Sequence, residues 1–332
     1  MSKKQKGQDN TRGAIGFDLY YQNIFGERWQ GLKESLLCEP SPVAYCLTPV
    51  CDVADSTTPY TAAAASDSAS SPAAATSDSA SSPAAAENPA VDSQPAAIRT
   101  YYLDSASILA ASCLPLGGAQ EILDLCAAPG GKTLVLASMM NGDAHLTSNE
   151  RSFERKMRLT KVCDEHMGSS LRARVTVTCS DGALWCKTKS ECYDAILLDA
   201  PCSSERHVLN DEKYLLQWSP ARIKTLSMEQ WALLSSAYRM LKRGGYLLYS
   251  TCALAPDEND KVVSRLLKKF DDAVIVDINE KAALINSQKK LVALCSQNCI
   301  LPNFEKTEYG YQILPDKQNG AGPIYFSLVS KI

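Results

Sequence analysis

The apolar positions fall into two regimes. Early in the chain, Phe17, Tyr20, Tyr21, Ile24 and Phe25 recur at i, i+3, i+4, i+7 and i+8, and Trp29, Leu32 and Leu36 carry the stripe on. That period predicts a helical segment, two helices broken at Gly26 or Gly31, packed against the rest of the chain. From about residue 100 the pattern alternates. A helical pattern over Tyr102–Leu114 leads into a short strand, Ile122–Leu125, and a glycine loop opens a helix over about 131–140. Strands are predicted at 145–149, Val175–Cys179, Tyr193–Asp199 and Tyr246–Ser250, with helices over 151–166 and 257–270. Ser219-Pro220 supplies an N-cap and a proline at the first helical position, opening a helix that stops at Gly244-Gly245. Ala273–Ile278 and Ile324–Val329 read as closing strands. Strands alternating with helices predict an open α/β sheet with helices on both faces, whose ligands bind at the carboxyl ends of the strands.

Between the regimes, residues 56–98 are nearly all Ala, Ser, Pro, Thr and Asp, without Lys or Arg. The decapeptide Ser-Asp-Ser-Ala-Ser-Ser-Pro-Ala-Ala-Ala occurs twice, at 66–75 and 77–86. Such a tract buries too little apolar surface to offset its ordering entropy, and a disordered linker is expected. The expected organisation is an N-terminal helical extension (1–55), that linker (56–98) and a catalytic domain (99–332).

Composition narrows the class. No run of some 18 apolar residues is present, which argues against a membrane span. Met1-Ser-Lys-Lys-Gln-Lys lacks the apolar stretch of a secretory signal, and Asp9 comes too early for a mitochondrial presequence. The 13 cysteines are odd in number and scattered, as in a reducing compartment, and a cytoplasmic location is expected. A net charge of −3 provides no global attraction for nucleic acid. Residues 1–98 carry 6 basic and 11 acidic side chains, which leaves 28 basic and 26 acidic for the remainder. Local clusters therefore matter more than the total. Arg151, Arg155, Lys156, Arg158, Lys161, Arg172 and Arg174 lie within 24 residues and are either phosphate contacts or a solvated helix face diluted by Glu150, Glu154, Asp164 and Glu165.

The chemistry gathers at the predicted strand ends. The first strand runs into Asp124-Leu-Cys126-Ala127-Ala128-Pro129-Gly130-Gly131-Lys132-Thr133. Its glycines let the backbone approach a ligand, and the helix N-terminus behind them favours an anionic group. A phosphate-binding P-loop is a poor match, because Cys126 stands where its first glycine should be. Glu150 ends the next strand, 20 residues after Gly130, and suits a ribose diol. Asp181-Gly182 follows the third and suits an adenine amino group. The fourth ends in Asp199-Ala-Pro-Cys202 and the fifth in Ser250-Thr-Cys252, so two thiols end neighbouring strands. A strand thiol is usually a small buried hydrophobe. Beside a carboxylate and a cofactor loop, a nucleophile is the stronger reading. Its thiolate needs nearby positive charge, for which Lys132, Arg206 and His207 are available by sequence. Chemistry alone does not choose between the two cysteines.

Taken together, Leu-Asp-Leu-Cys-Ala-Ala-Pro-Gly-Gly-Lys-Thr, Asp-Ala-Pro-Cys and Ser-Thr-Cys resemble motifs I, IV and VI of the Fmu/Sun (RsmB/NOP-Sun) family of RNA cytosine-5 methyltransferases. Tyr102-Leu-Asp-Ser-Ala-Ser107 is similar to the family's segment before motif I. Pro-Cys-Ser-Ser-Glu-Arg206-His207 and Phe-Gly-Glu-Arg-Trp29 look closest to its mitochondrial-type branch, which modifies rRNA or tRNA. The resemblance spans about 100–332. It implies a Rossmann-like class I S-adenosylmethionine methyltransferase fold with a mostly parallel seven-stranded sheet. It implies S-adenosyl-L-methionine as cofactor, held by Cys126 to Lys132 at the methionine end, Glu150 at the ribose, Asp181 and Gly182 at the adenine, and Arg155 and Asp199 nearby. It assigns the nucleophile that adds to cytosine C6 to Cys252, a part in product release to Cys202, and the base contact around N3/N4 to Asp199. Lys132 would orient Asp199 or the base. The partner is RNA, rRNA before tRNA, with the target base unstacked; a protein partner is a candidate second source of RNA affinity. A non-catalytic RNA-binding assembly protein of the same fold is the alternative, disfavoured because both cysteines and Asp199 are present. An adenine-N6 methyltransferase is disfavoured by Asp-Ala-Pro-Cys, and no metal site is expected at the lone Cys295-x3-Cys299 pair.

Overall fold

The computed structural model describes residues 12–39, 42–47, 99–278, 295 and 301–332. The low-complexity tract and Cys299 lie outside the described residues. The helices in chain order are α1 (Gly13–Phe25), α2 (Trp29–Leu37), α3 (Ser105–Ser112), α4 (Gly131–Met139), α5 (Phe153–His166), α6 (Ser169–Arg172), α7 (Glu205–Asn210), α8 (Glu212–Gln217), α9 (Pro220–Met240) and α10 (Asp260–Lys269). The strands are β1 (Val43–Tyr45), β2 (Tyr101–Leu103), β3 (Glu121–Asp124), β4 (His145–Glu150), β5 (Val175–Cys179), β6 (Tyr193–Asp199), β7 (Leu241–Thr251), β8 (Ala273–Ile275), β9 (Glu305–Lys306), β10 (Tyr311–Ile313) and β11 (Ile324–Lys331).

Among the described residues nine strands make the main sheet, eight in the order β5-β4-β3-β6-β7-β11-β10-β9 and the ninth, β8, paired to β11 off this path. β3 to β7 are mutually parallel, and β11 runs antiparallel to β7. The outer edge of β11 is shared: Ile324–Phe326 pair with β10, and Val329–Lys331 with β8. Strand order reverses between β3 and β6, and ligands of such sheets bind at that switch point, beyond the carboxyl ends. This is the expected doubly wound α/β fold. It holds two more strands than the seven expected, because β9 and β10 are too short to show alternation.

The central strands are buried on both faces, so neighbouring residues enter different cores. Ile122, Ala195, Leu197 and Leu248 face one, with Leu134, Val135 and Leu159 of α4 and α5. Leu123, Ile196, Leu198, Leu247 and Tyr249 face the other, with Leu233, Leu234 and Ala237 of α9 and Val262, Val263 and Leu266 of α10. A third cluster joins Phe17, Tyr21, Trp29, Leu32 and Leu36 to Val208, Leu209, Trp218 and Leu254. The N-terminal helices thus cover the segments that follow β6 and β7. They break at Gly26 (φ +57°) through a short 3₁₀ turn.

Two expected elements differ. Tyr101–Leu103, assigned in part to a helix, is strand β2, antiparallel to β1; the helix starts only after Asp104, whose side chain accepts from Ala106 N at 3.1 Å as its N-cap. The helix from Pro220 ends at Met240, ahead of the glycine pair, because β7 already begins at Leu241 and bulges before re-pairing at Tyr246. Among the described residues no helix is long and apolar enough to cross a membrane.

Candidate active site

The carboxyl ends of β3, β4, β5, β6 and β7 open into one cleft of about 340 Å³, a size ordinary for a small-molecule site. Cys126, Ala128, Glu150, Arg155, Asp181, Gly182, Asp199, Cys202 and Cys252 line it. A hollow of about 140 Å³ shares Cys126, Ala128 and Asp199 and adds Ala127, Pro129, Gly131 and Lys132. Gly130, the remaining site residue expected from sequence, lines neither. It turns the chain into α4 at φ +121°, where a Cβ would lie 2.9 Å from Val162 Cγ1. Gly182 also needs its bare backbone, since a Cβ there would sit 2.7 Å from Leu125 Cδ1.

One half of the cleft is built of carboxylates on short turns. Glu150 is buried; its Oε1 accepts from Ser152 N at 2.9 Å, and Arg155 Nη1 lies 3.4 Å from Oε2. Arg155 Nη2 also donates to Ala128 O at 2.9 Å, joining the glycine loop to the end of β4. Asp181 accepts from Ala183 N at 3.0 Å. Asp124 is fully buried and accepts from Thr133 Oγ1 at 2.7 Å, while its Oδ1 has no partner among the described residues. Burial pushes its carboxyl up to about 7. Burial likewise raises the Cys126 thiol, which remains protonated.

The other half holds the sulfur atoms. Cys202 Sγ and Cys252 Sγ are 2.8 Å apart. Ser204 Oγ is 3.2 Å from Cys252 Sγ and 3.6 Å from Cys202 Sγ. The pair is asymmetric. Cys252 is held below the ordinary thiol range, because donation from Cys202, helped by Ser204, outweighs its burial. Cys202 is pushed well above that range by the same hydrogen bond and by burial. Thiolate character therefore falls on Cys252 and the proton on Cys202. Next to them, Asp199 Oδ2 accepts from Lys132 Nζ at 2.8 Å and Oδ1 from Ser250 Oγ at 2.7 Å. Burial works against the Lys132 charge, but Asp199 outweighs it and keeps the ammonium protonated.

Two of the three cations expected to activate a thiol do other work. Arg206 donates to the carbonyls of Leu36, Cys38, Gly320 and Gly322 at 2.7–3.2 Å, and the His207 ring packs on Tyr214. Hydroxyl and thiol donors take their place. Ser204 and Ser250, and the buried Glu205, Glu258 and Gln230 behind them, were missed by sequence reasoning. Glu205, three residues after Cys202, and Glu258, six after Cys252, were the available signal. The basic cluster is largely self-neutralised. Arg151 pairs with Glu229, Arg158 with Glu154, Lys161 with Glu165 and Arg172 with Asp164, and Arg174 donates to Asn141 O and Ala144 O.

Residues 111–327 match the family model described as 16S rRNA methyltransferase RsmB/F. The chain is 37% identical over 179 residues to ribosomal RNA small subunit methyltransferase F of Erwinia tasmaniensis, covering 53% of this chain and 37% of that protein. It is 32% identical over 231 residues to the 5-cytosine rRNA methyltransferase NSUN4 of Bos taurus, covering 68% and 58%. The chain thus spans under two thirds of either relative's length. A methyltransferase homolog protein from Pyrococcus horikoshii superposes with a TM-score of 0.62 at 18% identity, covering 96% of this chain and 95% of that one, which shows a shared fold.

Proposed function

Since the chain belongs to the 16S rRNA methyltransferase RsmB/F family, we propose that it is an RNA cytosine-5 methyltransferase that uses S-adenosyl-L-methionine and acts on rRNA. The observation that carries this reading is the single cleft in which Cys252, Cys202, Ser204 and Asp199 meet the carboxylates of the neighbouring strand ends. The names of the relatives, a small-subunit rRNA methyltransferase and a 5-cytosine rRNA methyltransferase, support the substrate.

The residues fit the cofactor. A buried carboxylate at the end of β4 suits a ribose diol, and Asp181 and Gly182 line the same cleft, where Asp181 suits an adenine amino group. Asp124 offers an unpartnered buried oxygen beside the glycine loop, suited to an amino group. We assign the ribose to Glu150, with Arg155 holding that carboxylate in place, the adenine to Asp181 and Gly182, and the methionine end to the segment from Cys126 to Lys132. When bound, S-adenosyl-L-methionine supplies an electrophilic methyl group.

The chain's own part is to make cytosine C5 nucleophilic. The Cys252 thiolate adds to C6, forming a C–S bond and pushing the ring electrons to C5. Asp199 accepts from the exocyclic amine, and the Lys132 ammonium bound to it stabilises charge that develops on the ring. After methylation a solvent water takes the C5 proton, the C5–H pair forms the C5=C6 double bond, the C–S bond breaks, and its pair returns to Cys252 sulfur. Cys202 supports that departure as the group that donates to the emerging thiolate. Such a target base must leave its stack, so a loop or single-stranded region is the site of action.

The pairing of the basic residues over 151–174 leaves little free charge there for phosphates, which supports a second source of RNA affinity, a partner protein. An exposed reactive thiol supports a cytoplasmic location. The test of the function is tritiated methyl transfer to rRNA. Cys252→Ala is expected to lose more than about a thousandfold in rate while binding S-adenosyl-L-methionine as wild type by calorimetry. Cys202→Ala is expected to accumulate a covalent RNA–protein band on a denaturing gel. Full activity in Cys252→Ala with loss in Cys202→Ala reverses the assignment; no transfer by the wild type to any rRNA, with cell extract added to supply protein partners, overturns the reading.

A further inference from the structure

We propose that Glu205 is a positioning residue for the thiol pair: its buried carboxylate clamps the loop after Cys202 to the loop after Cys252, and Tyr21 of α1 holds the clamp from outside. The proposal deepens the methyltransferase reading and rests on it only for the use made of the thiols.

The clamp is read from donors and acceptors. Glu205 is fully buried. Its Oε1 accepts from Ser203 Oγ at 2.6 Å and from the Tyr21 hydroxyl, and its Oε2 accepts from Leu254 N at 3.0 Å. A buried carboxylate is tolerated only where such donors converge, so each of them is held in turn. Ser203 adjoins Cys202, and Leu254 stands two residues beyond Cys252. A second buried acid, Glu258, accepts from Ser203 N at 2.9 Å and from Gln230 Nε2 at 2.8 Å, and that amide also donates to Pro201 O. Glu258 ties the Pro-Cys loop to the segment six residues beyond Cys252; Glu205 makes the closer link, from the Pro-Cys side to Leu254 N, two residues from Cys252.

Ser204 sits between these anchors with φ +54° and ψ +66°, a left-handed conformation unfavourable for a residue with a side chain. Its two neighbours are each tied down, which keeps it there and aims its hydroxyl at Cys252. Tyr21 reaches Glu205 from a ring cluster in which it stacks on Trp29 at 5.1 Å. Arg206, the next residue, points the opposite way and grips the end of α2. The N-terminal helices are thereby part of the apparatus that sets the sulfur–sulfur contact.

Alkylation of Cys252 reads the clamp without RNA or methyl donor. The tryptic peptide Gly244–Lys261 carries Cys252 as its single cysteine, so iodoacetamide uptake there is followed by mass spectrometry across pH. In Glu205→Ala the midpoint is expected to rise by roughly one pH unit, a tenfold change in the ionisation constant, because the donors to Cys252 drift away. Methyl transfer is expected to lose about tenfold in kcat with KM for RNA and cofactor affinity near wild type, and Glu205→Gln, which can still accept from Leu254 N, to recover most of it. The opposite sign overturns the proposal: the Glu205 charge by itself raises the Cys252 thiol, so a purely electrostatic role predicts a lower midpoint. An unmoved midpoint overturns it too. Should Glu205→Ala not fold, Tyr21→Phe removes one hydroxyl and keeps the ring; a smaller upward shift is expected there, and no shift overturns the clamp. An upward shift in a protein that methylates no rRNA sinks the functional reading and leaves the clamp standing.

Discussion

Asp124 shows how far one residue can be pushed by its surroundings. It is fully buried, one oxygen is bound by Thr133, and burial raises its carboxyl from the ordinary 3.8 to about 7. Buried Glu258 is raised to about 7 by burial and by the nearby Glu205 charge. In both cases the folded protein keeps a proton that the unfolded chain has already released. Between roughly pH 4 and pH 7 the folded state therefore binds more protons, and stability falls as pH rises through that window. We expect the melting temperature to decline from pH 5 to pH 8 and to decline less steeply in Asp124→Asn, which can still accept from Thr133. Differential scanning fluorimetry at unit pH steps checks this; equal slopes in the two proteins would remove Asp124 from the account. The same sensitivity explains why the thiols could be found in the sequence and not ranked. Both end strands, but only the placement of Ser204 and of each sulfur makes Cys252 the more acidic of the two.

At the scale of elements, what the sequence shows and what it hides divide by range. The ends of β6 and β7 were legible because Asp199 directly follows the apolar run Ala195–Leu198 and Cys202 and Cys252 stand within four residues of such a run, which fixes where the chain leaves the sheet; Glu150 ends a mostly polar strand and was found by its spacing from Gly130. β2 was not, because three residues, Tyr101–Leu103, carry no period and their pairing partner lies across the tract. The Arg206 role was hidden for the same reason: the carbonyls that bind Arg206 come from the end of α2, Cys38, Gly320 and Gly322, far along the chain. Arg28 is the counterpart in the N-terminal helices. Its guanidinium makes paired contacts to Glu305 at 2.8 Å and to Asp316 at 2.6–2.8 Å, joining the turn between α1 and α2 to the C-terminal strands. The group is about a quarter exposed, so solvent screens part of the attraction. Arg28→Ala is expected to destabilise by about 1–2 kcal/mol, seen as a lower urea midpoint with an unchanged slope. Arg28→Lys should recover little, since an ammonium cannot bridge two carboxylates with a planar fork. Wild-type stability in Arg28→Ala would show the link to be ornamental.

For the whole molecule, seven strands and their order of appearance were legible, because Ile122–Leu125, Tyr193–Asp199, Tyr246–Ser250 and Ile324–Val329 are largely apolar runs of strand length and the others fall between helical patterns. The relation between the N-terminal helices and the sheet was not, because the low-complexity tract conceals that the two are continuous in space. Residues on either side of the tract form one compact unit. β1 and β2 pair Tyr45 with Tyr101, so the chain leaves the unit and returns to it at adjacent positions, as a hairpin does. Tyr45 and Tyr101 are held together by this pairing, and replacing residues 50–97 tests whether the expected linker contributes to stability. Replacing them with a four-residue Gly/Asn turn shortens the connection between residues 45 and 101 by more than two halvings. Each halving lowers the closure entropy by about 0.6 kcal/mol, which predicts a gain of about 1–2 kcal/mol and a melting temperature higher by a few degrees. The tract has no Lys or Arg to contact phosphate, so methyl transfer is expected to stay within about twofold of wild type. A fall in melting temperature, or loss of transfer with the fold intact, would mean that the tract docks on the molecule or on its RNA.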